Sequence, residues 1–154
     1  MIKKITADRI YTGIDAALKN KVIVFDAQGT ILQIDDLADH DPASVEHLSG
    51  AIVPGFINTH CHLELSHMKG KANTGTGLVP FLQTVVNFRD ISMEEILDAI
   101  DRADAEMWDG GVMAVGDISN KADTAARKNQ SRIQYYTFVE FFDFLQEEGA
   151  ENWF

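Results

Sequence analysis

The sequence predicts an α/β chain in which a parallel sheet of strand–helix–strand units follows a short run of strands and turns. Three observations carry this. From about residue 55 onward, stretches of strand type and of helical period alternate in the order strand, helices, strand, helix, strand, which means right-handed βαβ crossovers. Before residue 50, short apolar runs are separated by a Gly-containing loop and polar stretches. The composition, with 45% hydrophobic and 24% charged residues in 154, is that of a folded globular chain rather than a disordered one.

The elements follow in order. Ile2 to Thr6 is a strand, followed by a polar stretch ending in Tyr11-Thr12-Gly13. Val22–Phe25 and Ile31–Ile34 flank Asp26-Ala27-Gln28-Gly29-Thr30, a hairpin signal. The acidic segment Asp35 to Asp41, ended by Pro42, reads as a surface loop, and His40 and His47 as surface residues. Ala51-Ile52-Val53 leads through Pro54-Gly55 into Phe56-Ile57-Asn58-Thr59, a buried strand that runs into His60-Cys61-His62. A loop from Met68 to Gly77 comes next. Apolar residues at 78, 81, 82, 85 and 86 then have helical spacing, with Pro80 tolerated in a first turn.

A second helix has the clearest signals. Ser92 and Glu95 form a capping box, and Met93, Ile96, Leu97, Ile100, Ala103 and Met107 recur on one face until Gly110-Gly111. Val112 to Val115 is a strand leading to Gly116-Asp117. Asn120 to Asn129 is weakly helical, with Ala122, Ala125 and Ala126 to bury. Ile133 to Val139 is a strand whose aromatics read as core, ending at Glu140. A further helix is expected to begin before the two exposed aromatics of Asn152-Trp153-Phe154. Three strands make a poor parallel sheet, since such sheets need both faces covered and barrels need eight strands to close. The expectation is a piece of a longer enzyme.

Charge and cysteine usage narrow the function. With 13 Lys+Arg against 24 Asp+Glu, the net charge is −11 and the pI about 4.7, which lacks the basic footprint of a nucleic-acid binder. The lone Cys61 cannot form an internal disulfide and points to a reducing compartment. The N-terminal Met1–Gly13 lacks a signal peptide's apolar stretch, and no run approaches a membrane span. An acidic cytoplasmic protein acting on small molecules or proteins is expected.

The chemistry concentrates in His60-Cys61-His62. Residues i and i+2 of a strand share a face, so the two imidazoles stand side by side. Neutral imidazole is a preferred ligand for Zn, Fe and Ni. A catalytic Zn usually takes three protein ligands, so two supply only part of a site. In α/β barrels, the C-terminal strand ends form the active face.

The run Pro54-Gly55-Phe56-Ile57-Asn58-Thr59-His60-Cys61-His62-Leu63 resembles the first barrel strand of the amidohydrolase superfamily. Ile5–Gly13 and Val22–Ile34 resemble the β-sandwich strands that precede that barrel. Leu63-Glu64-Leu65-Ser66 and Gly77-Leu78-Val79-Pro80-Phe81-Leu82 resemble the deaminase and chlorohydrolase branch, in particular its aminofutalosine-deaminase-like members. Gly111 to Asp117 is similar to that branch's second barrel strand. The resemblance implies a β-sandwich segment over residues 1–53 and, over 54–154, about the first three strands of a (β/α) TIM barrel. It implies a divalent metal, Zn or else Fe, held by His60 and His62, and metal-activated water attacking a C–N or C–Cl bond of a small heterocyclic substrate. The superfamily's other ligands, two histidines and an aspartate on later strands, have no match here. The chain by itself is therefore expected to be an inactive N-terminal fragment that self-associates through open barrel edges around Tyr135–Phe144.

Glu64, His67, Asp117 and Glu140 are candidates for contacts behind the metal ligands or with substrate. Asp117 and Glu140 end strands and so are expected to face the site, His67 to lie at its mouth, and Cys61 to be a small buried residue on the opposite face. Two alternatives compete. One is a non-enzymatic, truncated or partner-dependent half-barrel. The other is a cupin-like metal protein, which the strongly signalled helix after Ser92 disfavours.

Overall fold

The computed structural model describes residues 1–72, 75–88 and 91–141, which fall into two compact units, Met1–Pro54 and Gly55–Phe154. The first is a single mixed sheet of β1 (Lys3–Ile10), β2 (Lys21–Phe25), β3 (Ile31–Asp36) and β4 (Glu46–Ile52) in the order β3-β2-β1-β4. The hairpin is present as expected: β2 and β3 are antiparallel, and Asp26 Oδ1 accepts the Gln28 and Thr30 N–H groups, each at 2.9 Å, across the turn. Val22, Ile23 and Val24 are buried with Ala7 and Ile10.

The expected first strand stops short, because β1 continues to Ile10 by pairing in parallel with β4 as far as Ile52. β4 itself carries no apolar pattern in Glu46-His47-Leu48-Ser49-Gly50, and main-chain pairing to β1 makes it a strand. The acidic stretch is not a simple loop. Asp35 and Asp36 extend β3, and 3₁₀ turns follow at Leu37–Asp39 and Pro42–Ser44. His47 is exposed, but His40 is half-buried with its Nε2 3.2 Å from Asp35 Oδ2.

The second unit holds three parallel strands, β5 (Phe56–Cys61), β6 (Val112–Ser119) and β7 (Gln134–Val139), in that order. Between β5 and β6 come a 3₁₀ segment, Leu63–Met68, then α1 (Leu78–Phe88) and α2 (Met93–Asp109). α3 (Ala125–Gln130) joins β6 to β7 and is shorter than the expected 120–129 helix. β6 outruns its expected end at Val115 by four residues, through Gly116 and Asp117 to Ser119, since β7 pairs with it that far.

α2 begins as its sequence dictates, with the Ser92 Oγ accepting the Glu95 N–H and donating to the Glu95 carboxylate at 2.7 Å. Its C-terminal turn ends at Gly110, and Gly111 takes a positive φ of 82°. The buried face is Ile96, Ala99, Ile100 and Asp104, while Met93 and Leu97 are exposed. Ile96 and Ile100 pack on Leu63, with Cys61, Ala103, Met107 and Tyr135 around them.

The sheet has two unlike faces. Val115, Asp117 and Ser119 are buried on the side of α2, opposite Tyr135, Thr137 and Val139 of β7. Alternation sends Ile57, Ala114, Gly116, Ile118, Tyr136 and Phe138 to the other face. There Ile57, Tyr136 and Phe138 are 67%, 70% and 53% exposed, which corrects their reading as buried core, whereas Tyr135 packs against the Leu63 cluster as expected. The reason is that α2 covers only one side of these strands. Among the described residues, no helix is long and apolar enough to cross a membrane. The helix expected before residue 152 and the aromatics Trp153 and Phe154 lie outside the described residues.

Candidate metal centre

A β-bulge decides where the two histidines point. Asn58 pairs with Val115 and Cys61 with Asp117, so β5 advances three residues while β6 advances two. Asn58, whose Nδ2 donates to Met107 Sδ at 3.8 Å, and Cys61, packed beside Leu63 and Ile100, therefore both face α2. His60 and His62 flank Cys61 and stand on the opposite, open face. Their ring centroids are 5.3 Å apart, with the planes at 65°. Gly116 makes the bulge possible: a Cβ there would lie 3.0 Å from the Thr59 carbonyl oxygen. The His60 N–H is tied to Asn58 Oδ1 at 3.2 Å.

The donor chemistry fits a divalent ion in part. Two imidazoles bound to one tetrahedral Zn through bonds of about 2.0–2.1 Å would hold their centroids about 5 Å apart, close to the spacing here. Among the described residues, no group of three or more His, Cys, Asp or Glu side chains could hold an ion. Cys61 adds no thiolate: burial first, then the Asp117 carboxylate, pushes its thiol up to about 11.

The other candidates divide. Asp117 does not face the histidines. It is fully buried on the α2 side, where Oδ1 accepts the Leu63 N–H at 2.8 Å and Oδ2 accepts Lys128 Nζ at 2.5 Å. Lys128 also donates to Thr137 Oγ1 at 2.9 Å. Glu64 is buried as well, and its Oε2 accepts from Ser119 Oγ at 3.1 Å and from the Asn120 and Lys121 N–H groups at 3.0 and 2.9 Å. Both carboxylates thus bind the turn after His62 to the end of β6. Glu140 follows β7, its N–H donating to the Ser119 carbonyl at 3.0 Å and its carboxylate accepting from Asn120 Nδ2 at 3.3 Å.

His67 lies elsewhere, in the 3₁₀ segment beside a cavity of about 470 Å³ that Ala99, Arg102 and Glu106 of α2 help line. It is 8% exposed, and neither ring nitrogen has a hydrogen-bond partner among the described residues. Sequence reasoning missed Lys128. Its partner Asp117 lies eleven residues earlier, on β6, and no recognised local spacing links the two.

No family model matches the sequence. An adenosine deaminase of Helicobacter pylori is 30% identical over 93 residues, which is 60% of this chain and 22% of the relative. The H. pylori aminofutalosine deaminase structure in complex with methylthio-coformycin superposes with a TM-score of 0.75 at 25% identity, covering 90% of this chain and 35% of that one. A guanine deaminase of C. acetobutylicum with guanine in its active site matches at TM-score 0.70 and 16% identity, over 89% of this chain and 36% of that chain. A triazine hydrolase variant matches at 0.64 and 18%, over 91% and 36%. At those lower identities, the last two carry the fold alone. The chain therefore spans about a third or less of the length of these proteins. The 30% identical relative and the 25% identical structure are both deaminases, so the resemblance to the deaminase branch of the amidohydrolase superfamily read from Pro54–Leu63 and its surroundings is borne out.

Proposed function

We propose that this chain supplies the N-terminal strands of an amidohydrolase-type barrel, preceded by a small sandwich segment over 1–53, and two ligands of its metal site. The activity proposed for the whole protein is hydrolytic removal of an amino group, or chloride, from a small heterocycle. The observation that carries this is the His60–His62 pair: two imidazoles 5.3 Å apart on one face at the C-terminal end of a parallel strand. These two residues would hold a divalent ion, Zn or Fe, whose contribution is a bound water acidic enough to act as nucleophile near neutral pH. The protein's own part is to aim the two rings from a rigid strand end and to close the α2 side of the sheet behind them. The deaminase names of the 30% identical relative and the 25% identical structure support the reaction class.

Two ligands neither fix an open coordination position nor orient water. The 154-residue chain alone is accordingly expected to show no deaminase turnover and to bind Zn or Co weakly. Co²⁺ titration followed by paramagnetic broadening of histidine ring signals tests the reading. Broadening centred on His60 and His62, and lost in the His60→Ala/His62→Ala double variant, supports it; equal broadening in the double variant removes it. Ammonia release from purified chain, free of host enzyme, would overturn the expected inactivity.

A truncated or partner-dependent half-barrel, non-enzymatic by itself, is the second reading. It is favoured by the lack of a third ligand among the described residues. Activity that appears only when a second polypeptide is added distinguishes it from an inert remnant.

A further inference from the structure

We infer that Asp117 is a positioning residue for the His60–His62 pair, acting from the far side of the sheet through the main chain at Leu63. The inference rests on the metal-site reading above and deepens it. Leu63 is covalently joined to His62, and its N–H is held at 2.8 Å by a carboxylate with no exposure to solvent. A buried carboxylate keeps its charge only when paired. Lys128 Nζ, 2.5 Å from Oδ2 and steadied by Thr137 Oγ1 at 2.9 Å, provides that pairing. The chain therefore leaves β5 in one geometry: Cys61 in register with Asp117, His62 turned to the open face, Leu63 drawn back into the core. Glu64 repeats the arrangement one residue later, gripping the Asn120 and Lys121 N–H groups at the end of β6.

Asp104 is the internal comparison. It is only 3% exposed and has three hydrogen-bonded partners, Tyr135, Ser131 and Arg127, but none of them belongs to the histidine turn. Burial and stability alone would make Asp104 and Asp117 equivalent; position relative to Leu63 makes only Asp117 act on the histidines.

The test isolates one hydrogen bond in the full 154-residue chain. Asp117→Asn/Lys128→Met keeps an oxygen for the Leu63 N–H and removes the ammonium left without its counter-charge. Asp117→Leu/Lys128→Met keeps the branched side-chain skeleton and removes the acceptor. In the metal-free Asn variant, nuclear Overhauser contacts between the His60 and His62 rings and slow exchange of the Leu63 amide are expected to persist. The Leu variant loses both. With Co²⁺ as probe, affinity falls about ten- to a hundredfold in the Leu variant, the range for losing a group behind a metal ligand, and stays near wild type in the Asn variant. Asp104→Asn lowers the melting temperature while leaving ring contacts and Co²⁺ affinity unchanged.

The inference falls if the Leu variant keeps ring contacts and affinity, or if Asp104→Asn loses them equally. It also falls if the Leu63 amide of the unmodified chain exchanges as fast as an exposed one, a measurement that needs no variant to fold. Absence of Co²⁺ broadening in the unmodified chain would instead remove the metal reading, and the metal-free measurements would still decide the role of Asp117.

Discussion

Tyr135 shows how a single buried polar contact makes stability depend on pH. Its hydroxyl donates to Asp104 Oδ1 at 2.8 Å, beside the Ser131 Oγ at 2.6 Å, while Arg127 Nε holds the other carboxylate oxygen at 3.0 Å. Burial, then the bond to Asp104, raises the Tyr135 phenol well above its ordinary value of 10.0. In the unfolded chain the phenol loses its proton near that ordinary value, whereas in the folded chain it keeps it. Above that pH the unfolded state binds fewer protons, so the contribution of Tyr135 is present below about pH 10 and is lost as pH rises further. Thermal melts from pH 8 to 11 should show this alkaline loss. Tyr135→Phe should remove that component and lower stability at pH 7 by about 1–2 kcal/mol, the usual cost of one buried hydrogen bond with its partner otherwise satisfied. An unchanged alkaline slope in Tyr135→Phe would sink the assignment.

At the scale of elements, α2 and the β5 bulge behave differently toward substitution. Ser92→Ala removes an acceptor for the Glu95 N–H and should cost about 1 kcal/mol in chemical denaturation. Gly116→Ala puts a methyl 3.0 Å from the Thr59 carbonyl oxygen, which is backbone and cannot swing away. It should destabilise by about 1–3 kcal/mol, as overpacking does, and shift the His60 and His62 ring resonances, which Ser92→Ala should leave in place. The same contrast explains what sequence reveals. The start, period and stop of α2 are local, so they are legible in Ser92, Ile96, Ile100 and Gly110. β4 is not legible, because a polar segment becomes a strand only through its parallel partner β1. His60 and His62 share a face by simple alternation, and the bulge leaves that intact. The direction of Asp117 is less readable: the end of a strand suggests the active face, but register with Cys61 turns it inward toward Lys128. Glu64, readable only as a residue close to His62, proves to be an anchor for backbone N–H groups in the loop that follows β6.

For the whole molecule, the open face of the second unit carries the largest consequence. Ile57, Tyr136 and Phe138 stand on it, the last two in edge contact at 4.9 Å between ring centroids, and Val139 and Phe141 are 62% and 51% exposed at the end of β7. β7 is also the last strand in its sheet among the described residues, so one row of its backbone N–H and C=O groups has no strand beside it. Unpaired edges recruit other chains, and contiguous apolar patches of several hundred Å² mark interfaces. At roughly 25 cal/mol per Å², covering such a patch is worth several kcal/mol. That is comparable to the whole stability of a domain, about 5–15 kcal/mol. A second copy of the chain provides both the apolar cover and a strand edge, so the chain is proposed to self-associate through β7; residues 142–144 of the expected contact lie outside the described region. Sedimentation at increasing concentration should show species heavier than 17.1 kDa. Tyr136→Lys/Phe138→Lys, which places like charges on the apolar face of the edge strand, should shift the population toward monomer while preserving the circular dichroism of α2. A monomer of unmodified chain that stays single at all concentrations and unfolds cooperatively would show that the face is tolerable to water, and that no second copy is needed to cover it.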